Sequence, residues 1–376
     1  MKYYIIAGEA SGDLHGSNLM KALYKEDPDA EIRFWGGDLM QNVGGTIVKH
    51  YRELAFMGFI EVIFNLKIIL NNIKICKNDI KAFQPDVIIF IDYPGFNLRI
   101  AKWAKELGFK THYYISPQIW AWKESRITDI KRDVDKMYVI LPFEKDFYED
   151  KHHYHVEFVG HPLIDAIHNQ PLIDNAVFRK ENQLSEKPII AVLPGSRKQE
   201  ITKMLSVMLS VVDDFPDYQF VIAGAPSQEY SFYEEFITNE NIKFITNKTY
   251  DLLRNATAAL VTSGTATLET ALFKVPEVVC YKGSWASYQI AKRIITLKYI
   301  SLVNLIMDEE VVTELIQEDC NSKRIREELK KILEPNHRKS LLRNYDLLTE
   351  KLGGIGASEK TAQLIVNNIR KQPLKH

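Results

Sequence analysis

Short runs of strand-forming residues alternate with longer amphipathic stretches in the first half of the chain. The strand-like runs are Tyr3–Ala7, Val87–Ile91 and Thr111–Ile115, whose largely apolar composition is typical of strands buried on both faces. Asp13–Glu26 and Phe96–Leu107 repeat their apolar residues with helical spacing. Because strands and helices alternate in this way, the pattern predicts βαβ units and a parallel sheet covered by helices.

The same pattern starts again after a polar connector, residues 169–186, that is rich in Asn, Asp, Gln and Pro. Further strands are predicted at Ile189–Leu193, Gln219–Ala223, Ile242–Ile245, Ala258–Val261 and Val278–Tyr281. After Asp308 the pattern is helical to the end of the chain. We therefore predict an α/β protein with two Rossmann-like domains that face a central cleft. Their bounds are residues 1–168 and 169–352, with 353–376 returning to the first domain.

Composition and charge narrow the functional classes. The 376 residues carry a formal net charge of −1, so binding of nucleic acid through a general basic surface is not expected. Cys76, Cys280 and Cys320 are far apart and form no CxxC pair, which favours a reducing cytosol. The apolar N-terminal run meets charge at Glu9 and Asp13, so it predicts a first strand rather than a signal peptide. No apolar run is long enough to span a bilayer, and any membrane contact should be peripheral.

Candidate ligand-binding residues follow the first predicted strand. In open parallel sheets, ligands bind beyond the carboxyl ends of the strands. The segment after Ala7 contains glycines that permit a tight turn, and it opens a helix whose N-terminus favours an anion or a polar ligand. Its candidate residues are Glu9, Ser11 and Gly12. The spacing is not GxGxxG, so a dinucleotide is not predicted, and a simple turn with Asp13 as a cap is the alternative.

A candidate general base follows the strand Val87–Ile91. Asp92 stands at the carboxyl end of that strand, before a Pro-Gly turn, where a carboxylate can reach a substrate hydroxyl. The alternative is an aspartate that only caps the turn. After the next strand, Trp120 and Trp122 lie in a loop, where they either line a sugar or acyl site or fill the core.

The second domain has a more specific pattern. Arg197 follows Pro194-Gly195-Ser196 at the end of a predicted strand, where glycine allows close approach and the guanidinium can neutralise phosphate. Small residues after Val261 open another helix, whose free N–H groups can hold a diphosphate, and Glu269 one turn later can accept from ribose hydroxyls. The candidate nucleotide-binding residues are Gly195, Ser196, Ser263, Gly264, Thr265, Ala266 and Glu269. Because protein donors can neutralise the diphosphate and no Asp-rich metal motif is present, no metal or other cofactor is expected.

One predicted helix, Phe59–Phe83, has more apolar surface than one core contact requires. Beside the stripe that would pack on the sheet, a further apolar stripe borders a face that carries lysines. This arrangement is typical of a helix that lies in a membrane interface or contacts acyl chains. The residues predicted to make that contact are Phe59, Ile60, Phe64 and Ile68. The alternative is a helix buried on two sides or against a second subunit.

Several motifs resemble those of the lipid-A-disaccharide synthase family, in family order over nearly the whole chain. They are Gly8-Glu9-Ala10-Ser11-Gly12-Asp13, Met57-Gly58-Phe59-Ile60-Glu61-Val62, Asp92 with Pro94 and Phe96-Asn97, Ser116-Pro117 with Trp120-Ala121-Trp122, Leu141-Pro142-Phe143-Glu144, Gly160-His161, Leu193-Pro194-Gly195-Ser196-Arg197, Ser263-Gly264-Thr265-Ala266 with Leu268-Glu269, and Ser301-Leu302 with Asn304-Leu305.

The resemblance implies a GT-B fold and an inverting glycosyl transfer. The donor would be UDP-2,3-diacylglucosamine, the acceptor 2,3-diacylglucosamine 1-phosphate (lipid X), and the products UDP and a β-1,6-linked disaccharide. It implies a cytoplasmic protein associated peripherally with the inner membrane, and a homodimer that exchanges its C-terminal region. By position, Asp92 matches the essential carboxylate of the family, Arg197 its phosphate-side arginine and Asn304 its asparagine near the nucleotide. The family usually has proline before that asparagine, whereas this chain has Val303.

The residues alone are also compatible with two other functions. A soluble UDP-sugar epimerase or hydrolase of the same fold would have the same nucleotide-binding domain, although it would not need a helix that contacts a membrane. A non-enzymatic binding protein that closes on a small ligand would not need a carboxylate beside a diphosphate site.

Overall fold

The computed structural model describes residues 1–54, 66–226, 228–283 and 298–371. The chain forms two compact units, Met1–Asn169 together with Leu352–His376, and Gln170–Lys351. Each unit has its own parallel sheet and its own hydrophobic core. The prediction of two Rossmann-like α/β domains is therefore confirmed.

In the described part of the first unit, seven parallel strands form one sheet in the order β3-β2-β1-β4-β5-β6-β7. Its elements, in chain order, are β1 Lys2–Ala7, α1 Ala10–Glu26, β2 Glu31–Gly36, α2 Asp38–Val43, β3 Thr46–His50, α3 Leu66–Phe83, β4 Val87–Ile91, α4 Pro94–Glu106, β5 Thr111–Tyr114, α5 Ile127–Asp133, β6 Lys136–Val139, α6 Pro142–Asp146, β7 Glu157–Phe158 and α7 Pro162–His168. The strand order reverses between β1 and β4, so these two neighbours define the switch point of the sheet.

Among the described residues of the second unit, six strands form a sheet in the order β10-β9-β8-β11-β12-β13, again all parallel. Its elements are α8 Asn175–Glu181, β8 Ile189–Leu193, α9 Lys198–Leu209, β9 Gln219–Gly224, α10 Tyr230–Tyr233, β10 Ile242–Thr246, α11 Thr249–Asn255, β11 Ala256–Thr262, α12 Thr265–Leu272, β12 Glu277–Tyr281, α13 Leu302–Met307, β13 Glu314–Ile316, α14 Ser322–Leu333 and α15 Pro335–Lys351. Here the order reverses between β8 and β11.

One expectation about the second unit is wrong. The chain after Asp308 is not wholly helical, because β13 pairs in parallel with β12. A strand of three residues is too short to show a period in the sequence. The polar connector also contains helix α8, whose N-terminus is capped by the Asp174 carboxylate accepting from the N–H groups of Ala176 and Val177.

The last helix, α16 Ala357–Arg370, belongs to the first unit and packs on α1. The buried Asp165 carboxylate accepts from Gly356 N at 2.7 Å and Ser358 N at 2.9 Å, which satisfies the N-terminus of α16. Lys25 and Glu359 add an exposed ion pair of 2.7 Å between the two helices.

A buried carboxyl lies at the start of β12. Glu277 has no exposed surface, and neither of its carboxyl oxygens has a hydrogen-bond partner in the described part of the chain. It lines a cavity of about 250 Å³ together with residues of α14 and α15, including Lys331 and His337. Burial raises the pKa of Glu277 well above its ordinary value, which favours the neutral form of the side chain.

Candidate active site

The candidate residues of each unit lie at the switch point of its sheet. In the first unit, the segment that begins at Gly8 follows β1 and Asp92 follows β4. In the second unit, Pro194–Arg197 follows β8 and Ser263 follows β11. The carboxyl ends of neighbouring strands at a switch point leave a crevice in which ligands of open α/β sheets bind. Each unit therefore presents one candidate ligand-binding edge.

Asp92 and Tyr93 form a strained turn at the end of β4. Their φ angles are 43° and 49°, a left-handed conformation that costs non-glycine residues on the order of 1–3 kcal/mol each. Backbone hydrogen bonds hold the turn, because the Asp92 carbonyl accepts from Tyr113 Oη at 2.6 Å and from Asn97 Nδ2 at 2.7 Å. Asp92 N donates to Tyr114 O at 3.2 Å. Such strain is characteristic of functional turns whose side chain has a fixed direction.

The Asp92 carboxyl has the properties of a base near neutral pH. Burial, and to a smaller extent the negative charge of Glu9, raises the pKa of Asp92 from 3.8 to about 6. A general base works best when its pKa lies close to the working pH, since it is then ionised and still takes up a proton readily. The raised pKa is therefore compatible with the general-base role that the sequence predicts for Asp92.

The segment after β1 is built around close contacts of glycine. Gly8 is buried, and a Cβ added there would overlap the ring of Tyr93. Glu9 and Ser11 are exposed at the start of α1, whereas Gly12 is buried against Ala7. The two exposed side chains are free to meet a ligand in front of β1.

Asp13 has a structural role that the sequence did not indicate. It lies inside α1, and its carboxylate accepts from Gly37 N at 2.7 Å and from Leu39 N and Met40 N, both at 3.0 Å. It therefore caps α2 rather than its own helix, and it ties the ends of β1 and β2 together.

The loop after β5 is anchored by a buried carboxylate, Glu144. This residue accepts from Ser116 Oγ at 2.6 Å and from Trp120 Nε1 at 3.1 Å, and also from Ile140 N and Leu141 N. Trp120 thus packs inward, whereas Trp122 is 46% exposed. Sequence reasoning did not assign Glu144 a role. Its position three residues after Leu141, at the start of a helix with proline, is the capping pattern that indicates one.

The turn between β11 and α12 is open to solvent. Gly264 has φ 153° and nothing lies within 4 Å of a Cβ built on it. In the described part of the chain, the N–H groups of Gly264, Thr265 and Ala266 make no hydrogen bond. Ser263 is fixed by its Oγ, which donates to Ile300 O at 2.9 Å. Three free donors at a helix N-terminus are a suitable site for a diphosphate.

The turn between β8 and α9 also favours an anion, but a carboxylate of the protein already lies there. Gly195 has φ 101°, and a Cβ on it would overlap the carboxylate of Glu200, which accepts from Ser196 N at 3.2 Å. Arg197 is exposed at the N-terminus of α9. The guanidinium is therefore accessible to a phosphate at this edge of the sheet.

Glu269 and Asn304 differ in how much of each side chain remains available. The half-buried Glu269 carboxylate accepts from Tyr250 Oη at 3.1 Å, and burial raises its pKa. Asn304 is fully buried, and its Nδ2 donates to Val312 O at 2.8 Å and Glu314 Oε1 at 2.9 Å. Its Oδ1 accepts from two backbone N–H groups, so the amide is fully occupied in tying α13 to β13. Glu314, which sequence reasoning missed, also accepts from the N–H groups that precede α13.

The predicted membrane-contacting helix is described from Leu66 onward. Phe59, Ile60 and Phe64 lie outside the described residues. In α3, Ile68 is 43% exposed, whereas Ile80 is fully buried against the sheet. Within the described ranges, no helix is both long and apolar enough to cross a bilayer.

Comparison with known proteins identifies relatives over the whole chain. The model of a family described as lipid-A-disaccharide synthetase matches residues 3–367. The lipid-A-disaccharide synthase of Syntrophus aciditrophicus is 39% identical over 98% of this chain and 97% of the relative.

Solved structures share the fold at low identity. The UDP-GlcNAc 2-epimerase of Neisseria meningitidis, solved with UDP-GlcNAc, is 12% identical and superposes with a TM-score of 0.67, covering 99% of this chain and 100% of that one. The calicheamicin glycosyltransferase CalG4 gives a TM-score of 0.61 at 14% identity, covering 98% of each chain. These likenesses confirm the predicted two-domain fold of the GT-B type, and at this identity they bear on the fold alone.

Proposed function

Since the chain belongs to the lipid-A-disaccharide synthase family, a family of glycosyltransferases in lipid A synthesis, we propose that it joins two diacylglucosamine units by an inverting transfer. The donor is UDP-2,3-diacylglucosamine and the acceptor is 2,3-diacylglucosamine 1-phosphate. The products are UDP and a β-1,6-linked disaccharide 1-phosphate. The observation that carries this proposal is Asp92, a carboxyl on a strained turn at a switch point, with its pKa raised to about 6.

Asp92 acts as the general base. It takes the proton of the 6-hydroxyl of the acceptor while that oxygen attacks the anomeric carbon of the donor from the side opposite UDP. The new C–O bond forms as the bond to the diphosphate breaks, and the electron pair of that bond leaves with UDP. Glu9 assists by keeping the pKa of Asp92 raised, so that the base is strong enough to accept the proton.

The second unit binds the donor. The free N–H groups of Gly264, Thr265 and Ala266 hold the diphosphate, and Arg197 neutralises charge that develops on it as UDP departs. Glu269 accepts from the ribose hydroxyls. Gly195 and Ser196 allow the backbone to approach the phosphates, which displace the Glu200 carboxylate from Ser196.

Asn304 supports this site indirectly. Because its amide is fully used inside the protein, it positions α13 and the residues before it instead of contacting the nucleotide. Val303, which replaces the usual proline, is itself fully buried, so packing fixes the start of α13 in place of a proline ring.

The lipid substrates reach the enzyme at a membrane surface. The exposed Ile68 on α3, and the residues predicted before it, insert into the interface of the cytosolic leaflet. A homodimer that exchanges C-terminal regions remains a prediction from the family resemblance.

A transfer assay with purified protein tests the function. Radiolabelled donor is incubated with and without the acceptor lipid, and the disaccharide and UDP are separated. The wild-type protein should form disaccharide only when the acceptor is present. Asp92→Asn should bind UDP with unchanged affinity by calorimetry and lose most turnover, on the order of 10²-fold or more. Turnover close to that of the wild type in this variant would show that Asp92 is not the base.

A further inference from the structure

Two cationic side chains lie close to an exposed tryptophan in the loop after β5. Trp122 is 46% exposed, with Lys123 Nζ at 4.3 Å and Arg126 Cζ at 5.7 Å from its ring centroid. We call these three residues the cationic loop. Glu124 lies between the two cations in sequence, but its carboxylate is bound by Lys151 and His152 at 2.7 and 3.0 Å. Among the described residues, neither cation of the loop has an ion-pair partner.

A left-handed residue and a backbone hydrogen bond define the turn of the cationic loop. Lys123 has φ 56°, a left-handed conformation that is unfavourable for lysine, and Arg126 N donates to Lys123 O at 3.0 Å. Upstream, Ser116 and Trp120 are pinned to the buried Glu144. Each cation is attracted to the tryptophan ring, while the two positive charges repel each other. An anion bound by both cations would offset that repulsion.

The cationic loop belongs to the connection that follows β5, the hydrogen-bonded neighbour of β4, and Asp92 directly follows β4. The end of β5 contacts the proposed base, because Tyr113 Oη donates to Asp92 O at 2.6 Å and Asp92 N donates to Tyr114 O. Burial raises the pKa of Tyr113 most strongly, and the charges of Asp92 and Arg126 both act on the same hydroxyl. The loop and Asp92 therefore follow neighbouring strands at one edge of the sheet, the edge at which a ligand of such a sheet binds.

We propose that the cationic loop is the acceptor-specificity site, with Arg126 and Lys123 binding a phosphate monoester on the acceptor sugar and Trp122 covering its ring. Arg and Lys suit this ligand, since a planar guanidinium can bind two phosphate oxygens and an ammonium adds a mobile charge. An aromatic ring supplies the apolar wall that orients a sugar. The inference rests on the proposed function, because the acceptor of that reaction carries the phosphate.

The test compares the phosphorylated acceptor with the same lipid after removal of its phosphate. Transfer is measured for the wild type, Lys123→Gln and Arg126→Gln, with the exposed Lys102→Gln as a control for net charge in the same unit. Each loop variant should raise KM for the phosphorylated acceptor by about tenfold or more, with kcat and the donor KM within about twofold. With the dephosphorylated acceptor, both variants should match the wild type. Arg126→Lys should recover part of the loss, and unchanged melting temperatures would show that the variants fold.

The outcomes separate this inference from the proposed function. If the wild type makes no disaccharide, the proposed function fails. If it does and both variants retain the wild-type preference for phosphate, the site is elsewhere. A phosphate on a membrane lipid is the other source of the same chemistry, so binding to phosphatidylglycerol vesicles is measured in parallel. Reduced vesicle binding with an unchanged acceptor preference in detergent would assign the loop to the membrane surface and overturn the proposal.

Discussion

The pH dependence of transfer should report the environment of Asp92. Burial and the charge of Glu9 raise the pKa of Asp92 from 3.8 to about 6, and the base works only in its ionised form. kcat/KM, which reports the free enzyme, should therefore fall below pH 6 with a slope of one, to about a tenth at pH 5. A carboxyl with the ordinary value of 3.8 would remain almost fully ionised at pH 5, so the profile would be flat there.

The Glu9→Gln variant isolates the smaller of the two causes of the raised pKa of Asp92, which is the negative charge of Glu9. Removing the neighbouring negative charge makes ionisation of Asp92 easier, so the acid limb should move to lower pH, yet stay above the ordinary value because burial remains. The exposed Glu106→Gln, which removes one acidic charge at the end of α4, should leave the limb in place. The assay is kcat/KM from pH 4.5 to 8 at constant ionic strength. An acid limb at the same pH in wild type and Glu9→Gln, or one displaced equally by Glu106→Gln, would refute this reasoning.

Three further substitutions test other parts of the structure. Glu277 keeps its proton in the folded state, whereas the unfolded chain loses it above about pH 4.5, so folding stability falls by about 1.4 kcal/mol per pH unit until the buried group ionises. Glu277→Gln should therefore raise the melting temperature more at pH 8 than at pH 5, and an equal rise at both would contradict the neutral form. Gly8→Ala should cost about 1–3 kcal/mol by chemical denaturation and reduce transfer, because the new Cβ overlaps a tyrosine ring, whereas Gly95→Ala, with open space around it, should be nearly neutral. Ile68→Ser should weaken sedimentation with anionic vesicles and Leu172→Ser, 85% exposed in the other unit, should not; equal effects would argue against α3 as the membrane contact.

The sequence predicted strands best where both faces are buried. The bounds of β4 and β8 match the prediction to the residue, because fully covered parallel strands are continuous apolar runs. The strands β2 and β3 were not predicted, since polar and charged residues such as Arg33 and Lys49 interrupt their apolar pattern. A polar or charged side chain within a strand interrupts the apolar run on which such predictions depend.

The candidate site was predictable in position more than in detail. Because parallel strands end at the same edge of their sheet, the sequence alone groups the residues after β1 with those after β4, and the residues after β8 with those after β11. The role of Asp13 could not be predicted, nor could the contacts of Glu144 with Ser116 and Trp120, since these partners are distant in sequence and approach only in the folded unit. The same holds for Asn304, whose partners lie seven and more residues further along the chain.

The return of α16 to the first unit has a consequence for the order in which the protein is made. Residues 170–351 are in effect an insertion, because the chain leaves the first unit after Asn169 and re-enters it at Leu352. During synthesis, α1 is made before the second unit, whereas its partner helix α16 is made after it. The Asp165 carboxylate and its donors Gly356 N and Ser358 N are nearly two hundred residues apart in sequence. The second unit can therefore complete its fold before the first, which needs the helix α16 that is synthesised after it.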